Sequence, residues 1–141
     1  MDNKLTVLLL LIILLLLSGC VGQNSDPQSS SDNGQLNPQA ITQTELAEII
    51  REGGDMLLVD VRTEGEYNEG HLPGAIVIPY DEFDTRYSEI LEYRDRAVVL
   101  YCHVGGMGDY AGRVLLKNGF KNVKNLDGGI NGWRNSGGKI V

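Results

Sequence analysis

The chain has 141 residues, of which 42% are hydrophobic, and it carries a formal net charge of −7 with a pI near 4.7. This acidity argues against a nucleic-acid-binding protein and against electrostatic attachment to an anionic lipid surface. The length beyond the first 38 residues corresponds to one domain of ordinary size.

Residues 1–19 have the pattern of a secretory signal peptide. A lysine precedes the apolar run 5–17, which a single threonine interrupts, and small residues stand before Cys20. The run is short for a permanent membrane-spanning helix. Residues 17–20, Leu-Ser-Gly-Cys, resemble a bacterial lipobox, whose cysteine is lipid-modified and becomes the mature N-terminus. We therefore predict an extracytoplasmic protein that is anchored to a membrane through a lipid on Cys20; an ordinary cleaved signal or an uncleaved anchor is the alternative.

Residues 20–38 are predicted to form the lipidated N-terminus and a disordered tether. Polar residues, proline and glycine dominate this segment, and Leu36 is its one apolar residue after Val21. Such a segment buries too little apolar surface to fold. A flexible coil of this length reaches on the order of 20 to 25 Å, which is enough to hold a domain clear of a membrane surface.

Strand and helix signals alternate over residues 39–141. Thr42 and Glu45 form a capping box that begins the first helix, and Gly53 or Gly54 ends it. Continuous apolar runs predict further strands, and apolar residues three or four apart predict further helices. The predicted strands are 56–61, 75–78, 97–101 and 123–126, and the predicted further helices are 81–93 and 109–118. This alternation predicts an α/β domain with a mostly parallel central sheet and helices on both faces.

Cys102 follows the predicted strand 97–101 and opens a glycine-rich loop. Folds of this class bind ligands at the carboxyl ends of their strands. Loop N–H groups and the positive end of the next helix stabilise a thiolate at that place. We therefore predict that Cys102 is a nucleophile; the alternative is a buried cysteine that acts as a small hydrophobic side chain. The predicted anion-binding loop consists of His103, Val104, Gly105, Gly106, Met107 and Gly108.

A dinucleotide-binding motif competes with this interpretation. Gly106, Gly108 and Ala111 fit the pattern G-x-G-x-x-A, and Asp127 stands near the position of a ribose-binding acid. However, three residues separate the strand from the motif, and residues 128–141 are too few to complete a nucleotide-binding half. The motif is therefore the weaker interpretation.

Two groups of residues outside the loop form longer signatures, and with the loop they resemble the single-domain rhodaneses, a family of sulfurtransferases. Cys102 falls on the family's catalytic cysteine and Gly105 on the glycine three places further on. The resemblance implies a rhodanese-like α/β fold, a Cys102 persulfide, a small sulfur-containing donor and a thiol or cyanide acceptor, with no metal and no cofactor. The first signature comprises Asp60, Val61, Arg62, Glu66, Tyr67, Gly70, His71, Leu72, Pro73, Gly74, Ala75, Ile78 and Pro79, and the second comprises Leu126, Asp127, Gly128, Gly129, Ile130, Trp133 and Gly137.

Charged and histidine residues of these segments also carry expectations. Asp60, Arg62 and Glu66 are expected to form a charged cluster near the carboxyl edge of the sheet. His71 is expected to belong to the framework. His103 is expected to lie in the loop, where its charge would modestly favour the Cys102 thiolate.

The loop departs from the family at two positions. Active thiosulfate-type rhodaneses often have an arginine at the position of Met107 and a small neutral residue at the position of Asp109. Both changes reduce the positive potential that stabilises an anionic sulfur and weaken the binding of a dianionic donor. We therefore expect an unusual donor. The alternatives are a binding or redox-sensing module without turnover and, more distantly, a phosphatase.

Overall fold

The computed structural model describes residues 36–141. The predicted signal peptide, Cys20 and most of the predicted tether lie outside the described residues. Over residues 36–141, no helix combines the length and the apolar character that crossing a membrane requires.

A sheet of five parallel strands forms the centre of the domain, in the order β1-β5-β4-β2-β3. The strands are β1 (Gln39–Ile41), β2 (Met56–Asp60), β3 (Ile76–Val77), β4 (Ala97–Tyr101) and β5 (Asn122–Leu126). The helices are α1 (Gln43–Arg51), α2 (Glu64–Glu69), α3 (Phe83–Arg86), α4 (Gly106–Lys117) and α5 (Gly129–Asn135), and a 3-10 helix (Tyr87–Tyr93) follows α3. The predicted α/β class with a parallel sheet is confirmed, and β4, which leads to Cys102, is the middle strand.

Two apolar cores cover the two faces of the sheet. Successive strand residues point to opposite faces, so each central strand contributes to both cores and its sequence is apolar throughout. The first core contains Val59, Val98, Leu100, Phe83 and Leu115, together with Cys102. The second core contains Leu58, Val99, Tyr101, Leu46 and Trp133.

The edge strand β1 is an element that the sequence does not predict. It pairs with β5 through Gln39 opposite Lys124 and Ile41 opposite Leu126. Three residues are too short to show a strand period, so only the pairing partner reveals the strand. The capping box of Thr42 and Glu45 at the start of α1 is present, as predicted.

The predicted helix 81–93 is wrong as a single α-helix. The segment forms α3 and then the 3-10 helix, with non-helical backbone angles at Ile90. A 3-10 helix has three residues per turn, so Tyr87, Ile90 and Tyr93 lie on one side of it. All three pack against the first core, whereas Leu91 is 41% exposed.

Candidate active site

Cys102 lies directly after the middle strand β4, at the carboxyl edge of the sheet. Its side chain is 1% exposed, and its Sγ accepts a hydrogen bond from the Gly105 N–H at 3.1 Å. Helix α4 begins at Gly106, directly after this donor. Its first N–H groups, which have no partner within the helix, therefore also lie at this turn. The sulfur is therefore buried in the first core and at the same time placed against a backbone donor.

The structure corrects the extent of the predicted loop 103–108. His103, Val104 and Gly105 form the turn, but residues 106–108 are already the first turn of α4, which starts three residues before the predicted position 109. Glycine is a poor helix former, so the sequence favours a loop here. Gly105 has φ +128°, a conformation that other residues rarely adopt, and Val104 is 67% exposed.

Asn125 on β5 contacts this turn, and the sequence analysis did not select it. Its Nδ2 donates to the Gly105 carbonyl at 2.9 Å and to Asp109 Oδ1 at 2.7 Å. The side chain is 7% exposed. The available signal was the strand period, which places Asn125 on the same face as the buried Val123, where an amide requires hydrogen-bond partners.

The start of α5 supports the same turn from the other side. The N–H of Ile130 donates to the Cys102 carbonyl at 2.8 Å, and the N–H of Asn131 donates to the His103 carbonyl at 3.2 Å. Gly129 has φ +53°, and a Cβ on it would lie within 3.0 Å of the Cys102 carbonyl oxygen. Glycine at this position therefore permits the close approach of the two backbone segments.

His103 projects toward helix α2, where its Nε2 pairs with Glu66 Oε1. Glu66 also caps α2 by accepting from Thr63. The hydrogen bond from the Thr63 hydroxyl is the main cause that lowers the pKa of Glu66 to about 2, and the bond with His103 adds to it. The expected effect of His103 charge on the thiolate is therefore offset by an adjacent carboxylate.

Comparison with known proteins identifies the family. The rhodanese-like domain matches this chain over residues 42–136. The chain belongs to the rhodanese-like family. It is 38% identical over 96 residues to a protein named "Sulfurtransferase" from Allochromatium vinosum, covering 68% of this chain and 88% of that protein. It is 43% identical over 100 residues to an HTH-type transcriptional regulator of Mycobacterium tuberculosis, covering 70% of this chain but 42% of the regulator.

Solved structures agree with this assignment. The rhodanese-like domain of the Alr3790 protein from Anabaena superimposes with a TM-score of 0.67 at 30% sequence identity, covering 74% of this chain and 78% of that domain. A rhodanese-related protein from Thermoplasma volcanium has a TM-score of 0.65 at 29% identity and covers 73% of this chain. Family and relatives together support sulfurtransferase-type activity for this rhodanese-like domain.

The first family signature forms a buried framework beside the site. Arg62 Nη2 lies 2.6 Å from Asp60 Oδ2 and 2.9 Å from the Gly70 carbonyl, and the two charged side chains are 4% and 0% exposed. Glu66 pairs with His103 instead, so the expected three-residue cluster is two separate contacts. His71 is in the framework, as expected, because its ring stacks on Tyr67.

The weaker dinucleotide interpretation finds little space at the motif on which it rests. Gly106, Asp109, Asn125 and Asp127 line a polar cavity of about 190 Å³. Ligand-binding cavities are commonly about 300–1,000 Å³, so the cavity at the motif is small for a dinucleotide.

The described residues 36–141 contain no group of three or more His, Cys, Asp or Glu side chains that could hold a metal ion.

The close approach at Gly129 predicts a large effect of a single methyl group. Gly129→Ala should lower the free energy of unfolding by more than the roughly 1–2 kcal/mol that left-handed backbone costs alanine, because the Cβ also forces the Cys102 loop to move. Gly137→Ala is the matched control, since Gly137 has φ +81° and open space around its Cα. Urea unfolding compares the two variants. Equal destabilisation would show that the loop tolerates the methyl group.

The two capping boxes allow the His103 contact to be tested separately. The lowered pKa of Glu66 means that its contribution to stability is complete above its ordinary value of 4.5 and is lost as pH falls through about 2. Glu66→Gln should therefore destabilise the domain at neutral pH by about 1 kcal/mol or less, and the difference from wild type should vanish near pH 2.

Glu45→Gln is the control for that experiment, because Glu45 caps α1 through Thr42 and has no histidine partner. Urea midpoints at several pH values give the comparison. If both substitutions have the same effect at neutral pH, the contact with His103 contributes nothing to stability.

Proposed function

We propose that this rhodanese-like chain is an extracytoplasmic, membrane-anchored sulfurtransferase that carries sulfane sulfur as a Cys102 persulfide. The observation that carries the proposal is the Gly105 N–H, which lies 3.1 Å from Sγ at the start of α4. Backbone donors that are already in place stabilise an anionic sulfur without reorganisation. The family assignment and the sulfurtransferase relative support sulfur transfer in general.

The proposed reaction has two displacement steps. In the first, the Cys102 thiolate attacks the outer sulfur of the donor; a new S–S bond forms and the donor's own sulfur bond breaks, with its electron pair leaving on the donor remainder, which is sulfite when the donor is thiosulfate. In the second, a thiolate or cyanide attacks the outer sulfur of the persulfide and releases the Cys102 thiolate. No external oxidant or reductant is required, because each step exchanges one sulfur bond for another.

Intact-mass measurement tests the proposed persulfide. Wild-type chain incubated with thiosulfate or an alkyl persulfide should gain the mass of one sulfur atom with at least one donor and lose it when a thiol is added. Cys102→Ser should gain none. If the folded, reduced wild-type chain gains no sulfur from any of these donors, sulfur transfer by this chain is rejected.

The anchoring part of the proposal has its own experiment. It is supported by the lipobox-like residues 17–20 and the polar segment that follows. Cys20→Ser should abolish incorporation of a fatty-acid label and release the processed chain from membranes. Unchanged labelling and retention in this variant would exclude a lipid on Cys20.

A binding or redox-sensing module is the second candidate function. The burial of Cys102, which is 1% exposed, and the neutral Met107, which packs against the same core, favour this alternative. Buried cysteines in apolar surroundings are generally unreactive. This candidate predicts slow alkylation of Cys102 and no sulfur adduct, so the same mass measurements separate the two functions.

A further inference from the structure

We infer that Asn125 is a positioning residue for sulfur chemistry at Cys102, because it holds Gly105 in the conformation that directs its N–H toward Sγ. The inference rests on the proposed function only in taking Cys102 as the reacting group. Asn125 lies on β5, a different strand from β4, which leads to Cys102. It therefore links the reactive turn to the rigid sheet.

Gly105 is restrained at both of its ends. Its N–H donates to Cys102 Sγ at 3.1 Å, and its carbonyl accepts from Asn125 Nδ2 at 2.9 Å. Its φ is +128°, a value that residues other than glycine rarely adopt. Because glycine has no Cβ, it can also change to other backbone conformations easily. Without the Asn125 contact, the first helical bond from the Asp109 N–H, at 3.0 Å, would be the one remaining described restraint on that carbonyl. The side-chain contact thus limits rotation of the residue that donates to sulfur.

The orientation of the Asn125 amide follows from its partners. Nδ2 has two acceptors, the Gly105 carbonyl and Asp109 Oδ1, so both of its protons are used. The reversed amide would place its oxygen against two other oxygens. The observed orientation leaves Oδ1 buried and without a hydrogen-bond partner among the described residues. An unsatisfied buried oxygen is costly, and the two Nδ2 contacts with the turn explain why it is tolerated.

Two residues of the first turn of α4 match the Asn125 side chain in shape and charge. A Cβ at Gly108 would lie within 3.0 Å of Asn125 Oδ1, so a larger residue there would displace the amide. Asp109 supplies the second acceptor, which directs Nδ2 toward the turn. Asp109 therefore has a positioning effect through Asn125, in addition to the unfavourable charge that it places near an anionic sulfur.

Asn125→Leu tests this inference, since leucine has a similar volume and no donor. We expect iodoacetamide to alkylate Cys102 about tenfold more slowly, the equivalent of about 1.4 kcal/mol, at unchanged pH. The thermal midpoint should stay close to that of wild type, because the substitution also removes the unsatisfied oxygen. Peptide mass spectrometry of the full chain assigns the alkylation to Cys102. Asn118→Leu is the matched control, because Asn118 Nδ2 donates to the Val114 carbonyl at the other end of α4.

A pH profile of the alkylation rate separates positioning from loss of structure. Loss of the donor to sulfur should move the midpoint of the profile for Asn125→Leu to higher pH, because the anionic sulfur loses a hydrogen bond. The titratable groups around the turn, His103 with its partner Glu66 and Asp109 in α4, are retained in this variant and in Asn118→Leu. A general loosening of the fold would instead raise the rate at every pH.

The double variant Asn125→Asp with Asp109→Asn distinguishes the two contacts of Asn125. It restores a hydrogen bond between positions 125 and 109 with donor and acceptor exchanged, but a carboxylate at position 125 cannot donate to the Gly105 carbonyl. We expect slow alkylation to persist. Recovery of the wild-type rate would overturn the inference, as would a wild-type rate and profile in Asn125→Leu.

The alkylation and sulfur-loading experiments remain informative if one variant does not fold. If Asn125→Leu does not fold, the single variant Asn125→Asp, which keeps the side-chain shape, takes its place in the alkylation experiment. Sulfur loading is measured in parallel on the wild-type chain. If wild type takes up no sulfur and the variants are alkylated slowly, the proposed function is rejected and the positioning role is retained. If wild type takes up sulfur and the variants are alkylated at the wild-type rate, only the positioning role is rejected.

Discussion

Met107→Arg is expected to raise kcat/KM with thiosulfate by roughly ten- to a hundredfold. A charge-assisted hydrogen bond contributes about 1.5–3 kcal/mol, and this range converts to the stated factor when the bond forms in the transition state. A guanidinium can also bind an oxyanion through two parallel hydrogen bonds, which backbone amides do not provide. Among residues 103–108, His103 is the one side chain able to carry a positive charge, and it is paired with Glu66.

The position of Met107 explains both the gain and its cost. Met107 is the second residue of α4 and packs, partly buried, against the core that contains Cys102. A cation in the first turn opposes the helix dipole at a cost of about 0.3–1 kcal/mol. The variant should therefore be slightly less stable than wild type and still more active, because a stability loss of this size leaves the domain folded.

Steady-state kinetics with two control variants test the prediction. Met107→Leu changes the side chain without adding charge, and Val104→Arg adds the same charge at a loop position that is 67% exposed. We expect neither to match Met107→Arg. If wild type already reacts rapidly with thiosulfate and Met107→Arg changes nothing, side-chain charge in the loop does not determine the use of this donor.

Asp60→Asn is expected to lower the free energy of unfolding by about 3–5 kcal/mol. Removal of one partner from a buried ion pair leaves the other charge without compensation in a medium that solvates it poorly. Arg62 donates to Asp60 through its backbone N–H and its guanidinium, and both side chains are nearly inaccessible to solvent. A loss of this size is a large part of the 5–15 kcal/mol that stabilises a typical domain.

A control and a double variant make this prediction specific. Asp55→Asn removes an exposed carboxylate from its pair with Arg96 and should have a much smaller effect on stability, because solvent screens an exposed pair. Asp60→Leu combined with Arg62→Met removes both buried charges and should recover most of the stability, because well-packed apolar residues often replace a buried pair without loss. Chemical unfolding of the three variants provides the comparison. A small effect of Asp60→Asn would mean that water reaches Arg62.

Elements that are determined by residues close together in the chain match their predictions from the sequence. The capping box at Thr42 and Glu45 satisfies the first N–H groups of α1 within four residues of chain. The apolar run 97–101 forms the middle strand with the predicted bounds, because a strand covered on both faces needs apolar residues at every position. Such signals depend on neighbours in the chain and can be read without knowing the fold.

Other elements depend on packing between segments that are far apart in the chain. The 3-10 helix at 87–93 places three side chains on one core, and the helical spacing of its apolar residues does not distinguish it from an α-helix. Helix α4 begins within a glycine-rich segment whose propensity favours a loop. There, the carbonyl of Gly105 is held by β5, and tertiary contacts override local preference.

The order of strands and helices, the α/β class and the place of Cys102 after an apolar strand follow from the sequence, because hydrophobic period and capping act over a few residues. The surroundings of the sulfur follow from the folded chain. His103 meets Glu66 across 37 positions, and Asn125 meets Gly105 across 20. No local pattern encodes such pairs; they exist because parallel strands bring their carboxyl ends, and the loops that follow them, to one edge of the sheet.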